Sequence, residues 1–437
     1  MREATANDGQ DIVLAVERNQ GYTYVYKTRI YKDNTGHDEE NCKFIDRIAK
    51  TLLWVAGGYK ITVAGSKVVG EYVKNTFCHD GTRDFDARFM ERVYERPFEV
   101  VVTDLANAPK EKSSASPVGK HLDGYRIGFD AGGSDRKVSA VVNGETVYSE
   151  EVVWFPKLNA DPNYHYEGIL SAMKTAASHM PRVDAIGVSS AGVYIDNKIM
   201  VASLFIKVND DDFEKKVKNM YIDVAREIGE NIPIEVANDG DVTALAGAMS
   251  LEDNGILGIA MGTSEAAGYV DMDGNITGWL NELAFAPVDY NEDAARDDWS
   301  GDYGVGSRYF SQDAVIKLAP CANIDLDENL SPAEKLKVVQ NLMKEGDERA
   351  KAIYETIGAY FGYSLAYYAE FYDIKHVLIM GRVTSGDGGE ILLARAREVI
   401  ATEFPELNEK ITLNIPDEKA RRVGQSVAAA SLPEIKA

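Results

Sequence analysis

Residues 124–137 read Gly-Tyr-Arg-Ile-Gly-Phe-Asp-Ala-Gly-Gly-Ser-Asp-Arg-Lys. A short strand, Tyr125 to Phe129, delivers one carboxylate, Asp130. The chain turns through Gly132-Gly133-Ser134 and returns as a second strand, Val138 to Val142. Asn143-Gly144 then reads as a tight hairpin turn before a third strand from Glu145. Two glycines let the backbone approach a bulky anion, because no Cβ stands in the way and φ > 0 is open to them. In such a loop the Gly132 and Gly133 amides, with the Ser134 hydroxyl, face phosphate oxygens. Asp130 beside it suits a magnesium ion, held directly or through water. On these residues alone, a plain glycine hairpin is an equally good reading.

Composition narrows the classes. The 437 residues are enough for two or three domains, and 45% hydrophobic content is ordinary for a globular chain. Net charge is −23, and residues 1–123 carry 18 Lys+Arg against 19 Asp+Glu, so nearly all the excess acid follows residue 123. Such a surface repels nucleic acid and anionic membranes. Cys42, Cys78 and Cys321 are odd in number and lack C-x-x-C spacing, which predicts free thiols in a reducing cytoplasm and no cysteine zinc site. No stretch is apolar enough to span a membrane, and Met1 to Gln10 lacks the apolar core of a signal peptide.

Outward from the opening stretch, the pattern stays α/β. Asp11 to Arg18 and Tyr22 to Tyr31 alternate around Asn19-Gln20-Gly21 as a hairpin. Helical spacing over 41–55, a strand at 59–64, helices at 67–76 and 85–95 and a strand at 98–104 complete an N-terminal unit, residues 1–106. A Pro/Ser/Lys/Ala-rich linker, 107–123, follows. After the opening hairpin come a helix from Asp161 to His179 and a buried strand, Val183 to Val188. That strand ends at Ser189-Ser190-Ala191-Gly192, a small-residue turn where α/β proteins place ligands. A helix over 211–228 leads to the strand 234–237, which ends at Asn238-Asp239-Gly240-Asp241 before an alanine-rich helix. Strand 255–260 then runs into the loop Met261-Gly262-Thr263-Ser264-Glu265-Ala266-Ala267-Gly268 and a further strand, Tyr269 to Asp271, repeating the opening design. Two helices (332–344 and 347–372), a strand at 376–380, the loop Gly381 to Gly389, a helix (391–404), a strand (411–415) and a small-residue helix (423–432) close the chain.

Taken together, residues 124–432 resemble the ROK sugar-kinase family (repressors, open reading frames, kinases) of the actin-like ATPase fold. Asp130-Ala-Gly-Gly-Ser134 looks like the first phosphate motif, D-x-G-G-T. Asn238-Asp239 looks like the catalytic N-D segment, Gly262-Thr263-Ser264 with Gly268 like the second phosphate motif, and Met380-Gly381-Arg382-Val383 like the adenosine-side turn. The resemblance implies a small lobe, 124–240, and a large lobe, 241–437, with the last helix packing back on the small lobe. It implies an ATP- and Mg²⁺-dependent kinase acting on a small-molecule sugar, cytoplasmic and homodimeric. Asp239 is then the base. Asn238, Glu282, Ser190, Gly192 and Phe285 border the sugar. Asp130, Gly132, Gly133, Ser134, Lys137, Gly262, Thr263, Ser264, Gly381, Arg382 and Ser385 border the nucleotide, with Asp130 on the metal.

The departures shape what is expected of the pocket. The family's E-x-G-H segment reads Glu282-Leu283-Ala284-Phe285 here, and its zinc-binding cysteines are absent. Its second sugar-binding Glu falls near Ser307. Glu265 stands in the second phosphate loop, where a carboxylate repels a triphosphate unless a cation such as Arg382 or Lys137 neutralises it. The acidic run 293–302 reads as a solvated loop, with Trp299 as a surface for stacking on a sugar. The N-terminal unit is expected to pack on the small lobe or form a dimer contact. Two rival functions remain: a non-catalytic sugar sensor of the same fold, and a transcriptional regulator. The regulator needs a basic helix-turn-helix that residues 1–123 lack.

Overall fold

The computed structural model describes residues 1–113, 118–416 and 418–435. The N-terminal unit is one sheet of order β2-β1-β3-β4, with β1 Gly9–Glu17, β2 Thr23–Tyr31, β3 Lys60–Ala64 and β4 Glu99–Thr103. The β1–β2 hairpin runs in unbroken antiparallel register from Gly9↔Tyr31 to Glu17↔Thr23. Helices α1 (Asp38–Val55), α2 (Lys67–Thr76) and α3 (Asp84–Tyr94) accompany it. Three acids in the first turn of α1 suit its dipole, and Ser66 caps α2 by accepting the Val69 N–H.

The central sheet has order β11-β8-β5-β6-β7. Its strands are β5 Tyr125–Ala131, β6 Asp135–Val142, β7 Glu145–Val153, β8 Ala185–Ser190 and β11 Ile234–Asn238. The three-strand meander expected from the opening stretch is present, and β5, β8 and β11 are parallel. Helix α4 (Pro162–Ser178) connects β7 to β8, and a short hairpin, β9 Val193–Ile195 and β10 Lys198–Val201, follows. The single helix expected over 211–228 is broken. Phe213–Val217 is π-helical, and only Met220–Ile228 (α5) is a regular helix. The Lys218 carbonyl is taken by the Ile199 N–H of β10, and the Lys218 N–H reaches back five residues to Phe213, so the α ladder cannot run through.

The third sheet, β13-β12-β14-β15, uses β12 Ile256–Met261, β13 Glu265–Val270, β14 His376–Met380 and β15 Thr412–Asn414. Around it lie α6 (Asp239–Leu251), α7 (Gln312–Leu318), α8 (Pro332–Lys344), α9 (Glu348–Tyr368), α10 (Asp387–Glu403) and α11 (Glu418–Ala430). The last helix packs on the central sheet. A Cβ at Gly128 would stand 2.0 Å from the Ser426 carbonyl oxygen, and one at Gly187 1.6 Å from that of Ala429.

The N-terminal unit does not rest on the small lobe alone. Ile45, Leu52, Trp54 and Val63 share one buried apolar cluster with Leu280, Phe285, Phe361 and Tyr372, so the unit and the third sheet have a common core. Each fully buried aliphatic side chain there contributes ~1.5–3 kcal/mol. The last carbonyls of α1 are left open by the helix end: that of Val55 accepts the Asn281 N–H at 3.0 Å, and that of Trp54 accepts the Glu282 N–H at 2.9 Å. On its other side α3 meets the β9–β10 hairpin region, where Glu95 pairs with Lys218 and Arg92 lies over the Phe213 ring. The added unit therefore bridges the two halves of the molecule.

The acidic run is not simply solvated. Asp302 lies at 11% side-chain exposure among Arg47, Lys50 and Arg83 of the N-terminal unit, at 3.1, 3.2 and 2.6 Å. Its pKa is driven well below the carboxylate range by those cations, against the opposing effect of burial. Asp297 is also buried and accepts from Ser300 and Ser307. The aromatic residues of α9 divide: Phe361 and Tyr368 are core, whereas Tyr360 and Tyr363 are exposed.

Candidate active site at the ends of three parallel strands

Register assembles the site. Asp130 pairs with Ser189, and Ser189 with Ala237; one step on, Ala131 pairs with Ser190, and Ser190 with Asn238. Three adjacent parallel strands thus end together and present Asp130, Ser190 and Asn238–Asp239 at their carboxyl edge, where open α/β sheets bind ligands. Asp130 is 7% exposed and accepts the Ser189 hydroxyl at 3.0 Å. Burial, and then the charge of Asp239, pushes its carboxyl up to about 6. Asp239 is itself raised by burial, with the Gly240 N–H and the Lys157 charge pulling the other way.

The helix that carries Asp239 starts where it does for two reasons. Asn238 Oδ1 accepts the Gly240 N–H at 2.7 Å, which is an N-cap, and its amide donates to the Gly192 carbonyl at 2.7 Å. Gly240 also lies directly against β13: a Cβ there would stand 2.2 Å from the Ala267 oxygen, and one at Gly268 2.1 Å from the Gly240 carbonyl carbon. The two glycines let α6 and the second hairpin touch through backbone.

The first phosphate-type hairpin is held from outside. The Trp154 indole donates to the Gly132 carbonyl at 2.7 Å, and the Trp154 N–H to that of Ser134 at 3.1 Å. Gly132 and Gly133 do not use left-handed φ as the sequence reading allowed; they supply space. A Cβ on Gly133 would meet Lys157 Cε at 3.2 Å and Nζ at 3.4 Å. Lys157, which sequence reasoning passed over, therefore stands over this loop, and its charge reaches Asp239. The Pro156-Lys157 step just after β7 was its one signal, too common to single out. Ser134 donates to Asp135 at 3.0 Å, and Lys137 Nζ pairs with Asp135 at 3.3 Å.

The second hairpin, β12–β13, turns through Gly262-Thr263-Ser264, closed by the Gly262 N–H on the Ser264 carbonyl at 3.0 Å. Arg382 donates to Thr263 Oγ1 at 3.2 Å, which links this turn to the loop after β14. Gly381 there has φ +103°, and a Cβ would stand 2.3 Å from the Met261 oxygen. Beside it a largely apolar cavity of about 430 Å³ is lined by Leu336, Gln340 and Met343 of α8, and by Arg382, Ser385 and Asp387. Glu265 is not in the turn. It is the first residue of β13, 4% exposed, and directed against Gly306, where a Cβ would stand 2.1 Å from its Oε2. Neither Arg382 nor Lys137 neutralises it: both its oxygens lack a partner, and burial, then the Glu282 charge, raises its carboxyl to about 8.

Glu282, fixed through its N–H on α1, is pushed up to about 7 by burial and then by Asp239 and Asp241. Asp241 is buried and accepts the Tyr269 N–H and the Asn281 amide. Glu282 thus shares one acidic region with Asp239. Other candidates are already engaged. Phe285 is 5% exposed and packs 4.3 Å from Trp54 and 5.3 Å from Trp299, with Phe85 and Phe89 beside it. Ser190 Oγ accepts hydroxyls of Tyr194 and Tyr221 at 2.7 and 3.0 Å. Trp299 remains 65% exposed at the edge of the aromatic cluster.

No family model and no curated protein matches the sequence. Solved structures do match in fold. A ROK family transcriptional regulator, a homologue of the E. coli MLC protein, has TM-score 0.55 at 17% identity, over 71% of this chain and 79% of that one. The ROK hexokinase from Thermus thermophilus has TM-score 0.52 at 17% identity, over 70% and 97%. Glucokinase from Parabacteroides distasonis has TM-score 0.51 at 16% identity, over 71% and 98%. This chain has the mixed α/β, actin-like fold of ROK proteins. Among the described residues no helix is long and apolar enough to cross a membrane.

Proposed function

We propose that the chain is a divergent ROK sugar kinase that transfers the γ-phosphate of ATP to a hydroxyl of a hexose or hexose derivative. In this reading 124–240 is the small lobe, 241–437 the large lobe, 1–106 an accessory unit and 107–123 its linker. What carries it is the strand-end register, which sets Asp239 beside Asp130 at the mouth of a glycine hairpin. The sugar hydroxyl gives its proton to Asp239 as its oxygen bonds to the γ-phosphorus, and the bond to the β-phosphate oxygen breaks to leave ADP. Burial raises the Asp239 pKa, which brings its proton affinity closer to neutral pH and makes it a better base. Asn238 and Glu282 position the sugar. Gly132, Gly133, Ser134, Lys137 and Lys157 on one side, and Gly262, Thr263 and Ser264 on the other, hold the phosphates. Gly381, Arg382 and Ser385 border the nucleoside, which the α8 cavity accommodates.

The donor set fits magnesium. Asp130 and Asp239 press two carboxyls together, and a hard divalent cation relieves that repulsion. Among the described residues no group of three or more His, Cys, Asp or Glu forms an all-protein cage, as suits an ion bound chiefly through substrate phosphates. Asp130 would hold Mg²⁺, which supplies charge neutralisation for the phosphates.

A coupled ADP-release assay over hexoses and aminosugars, with Asp239→Asn as control, tests the reading. One sugar should stimulate ADP release, and the variant should lose ~10²–10⁴-fold while still binding that sugar. Sugar binding by calorimetry without ADP release in the wild type would refute transfer and assign the sensor role. The regulator reading is favoured by one fold relative, but the N-terminal unit here is a four-stranded sheet and the chain is strongly acidic.

A further inference from the structure

A cavity of about 380 Å³ opens where the accessory unit meets both lobes, a volume within the ~300–1,000 Å³ range of small-molecule sites. The end of the first hairpin supplies Arg18, Asn19 and Tyr22. The β9–β10 turn and the edge strand β11 supply Asp196 and Glu235, and the segment after β13 supplies Trp279. Asn238 and Gly192, two of the residues expected beside the sugar, and Asp241 border it, so it adjoins the proposed sugar site, whereas Asp130, Asp239 and Glu282 are not among its walls.

Three side-chain polar atoms on residues that line this cavity are buried without partners. Arg18 is 6% exposed. Its Nη1 donates to the Gly278 carbonyl and its guanidinium lies 5.8 Å from the Tyr22 ring centre, but its Nε is unpartnered and no carboxylate pairs with it among the described residues. Tyr94, 3% exposed, also lines the cavity, and its hydroxyl has no partner. That hydroxyl lies against Gly57, where a Cβ would stand 2.0 Å from it, so the glycine leaves it room. Asn19 Oδ1 is the third such atom. A buried charge without a counter-charge is costly, and so is each orphaned polar atom. All three residues line this one cavity, and an anionic ligand there would supply the counter-charge that Arg18 lacks.

The lining defines its chemistry. Arg18 and the Tyr94 hydroxyl are donors suited to an anion. Glu235, Asp196 and Asn19 Oδ1 are acceptors suited to hydroxyls. Trp279, stacked on Tyr269 at 5.7 Å, and Tyr22, beneath Arg18 and Lys112, add aromatic surface to the wall. We propose that this junction cavity binds a hydroxyl-rich ring bearing a single anionic substituent, a sugar carboxylate or sugar phosphate. The anion rests on Arg18 and Tyr94 and the hydroxyls on Asn19 and Glu235. Such an occupant touches the accessory unit, β11 and the 276–280 segment together, and so ties both lobes to the added unit.

Calorimetric titration of the full chain with glucuronate, glucose 6-phosphate, glucose and inorganic phosphate tests this. At least one sugar anion should bind tenfold or more tightly than glucose or phosphate alone, and the two anions distinguish a carboxylate from a phosphate preference. Arg18→Met and Tyr94→Phe should each weaken that binding at least tenfold, while Asp239→Asn leaves it intact. Without ligand, Arg18→Met should melt no lower than the wild type, because it removes an uncompensated charge. If Arg18→Met does not fold, Tyr94→Phe decides, since it deletes a hydroxyl that has no partner. No saturable binding of either anion, or binding unaltered by Tyr94→Phe, overturns the proposal.

Discussion

Gly240→Ala probes the backbone contact that places Asp239. In an ordinary helix this change is favourable by roughly 1 kcal/mol. Here the new Cβ would stand 2.2 Å from the Ala267 oxygen and 2.7 Å from its carbonyl carbon. A normal C···O contact is about 3.3 Å, so the overlap is about 1 Å. Both opposing atoms are backbone of β13, which is paired along its length to β12, so neither yields as a flexible side chain would. Overpacking of this kind costs ~1–3 kcal/mol. Losing the Asn238 cap as α6 moves adds about 1 kcal/mol. Set against the helical preference, the net destabilisation is about 1–3 kcal/mol. A shift of ~1 Å at Asp239 should also lower kcat ~100-fold. Urea denaturation and ADP release read the two effects separately. Gly268→Ala closes the same gap from the other side, so the double variant should cost less than the sum of the singles. A Gly240→Ala protein as stable as the wild type, with unchanged turnover, would refute this account of how the site is built.

Three further outcomes follow from the same geometry. Glu265 keeps its proton up to about pH 8 in the folded chain, against 4.5 for the free group. The native state therefore binds more protons than the unfolded one in that window, and stability falls as pH rises through it, by up to about 1.4 kcal/mol per pH unit. Glu265→Gln should flatten the melting-temperature profile there and melt above the wild type at higher pH; parallel profiles contradict the burial argument. Asp302→Asn leaves Arg47, Lys50 and Arg83 short of a counter-charge and should cost ~3–5 kcal/mol by chemical denaturation, with faster proteolysis of the 290–303 loop. A loss within experimental scatter means that solvent screens the network. Lys157→Met should raise the KM for ATP about tenfold, the loss of one charge-assisted contact; steady-state kinetics identical to the wild type remove Lys157 from the phosphate site.

Much of the fold was legible because its signals are local. Alternation and an Asn-Gly turn gave the β5–β7 meander, and an Asn before an alanine-rich run gave the start of α6. The β9–β10 hairpin escaped notice because strands of three and four residues carry too little pattern. The break in the 211–228 helix escaped because its cause, the Ile199 N–H on the Lys218 carbonyl, comes from another element. Glu265 was misplaced for a similar reason. Strand β13 begins at Glu265, four residues before the Tyr269 start that its pattern indicates, because Ala266, Ala267 and Gly268 read as loop, and only pairing with Met261 sets Glu265 in the strand.

The sequence by itself determined the two strand-loop-strand units, the carboxylate after the first strand, the Asn-Asp pair before α6 and the glycine after β14. Each depends on a handful of neighbouring residues and on backbone rules that act over short range. Only the tertiary structure decided that Glu282 hangs from the open end of α1, that Lys157 stands over Gly133, and that Arg18 faces a cavity without a counter-charge. These depend on contacts between residues up to 260 positions apart, where burial and close packing, not local preference, fix the geometry.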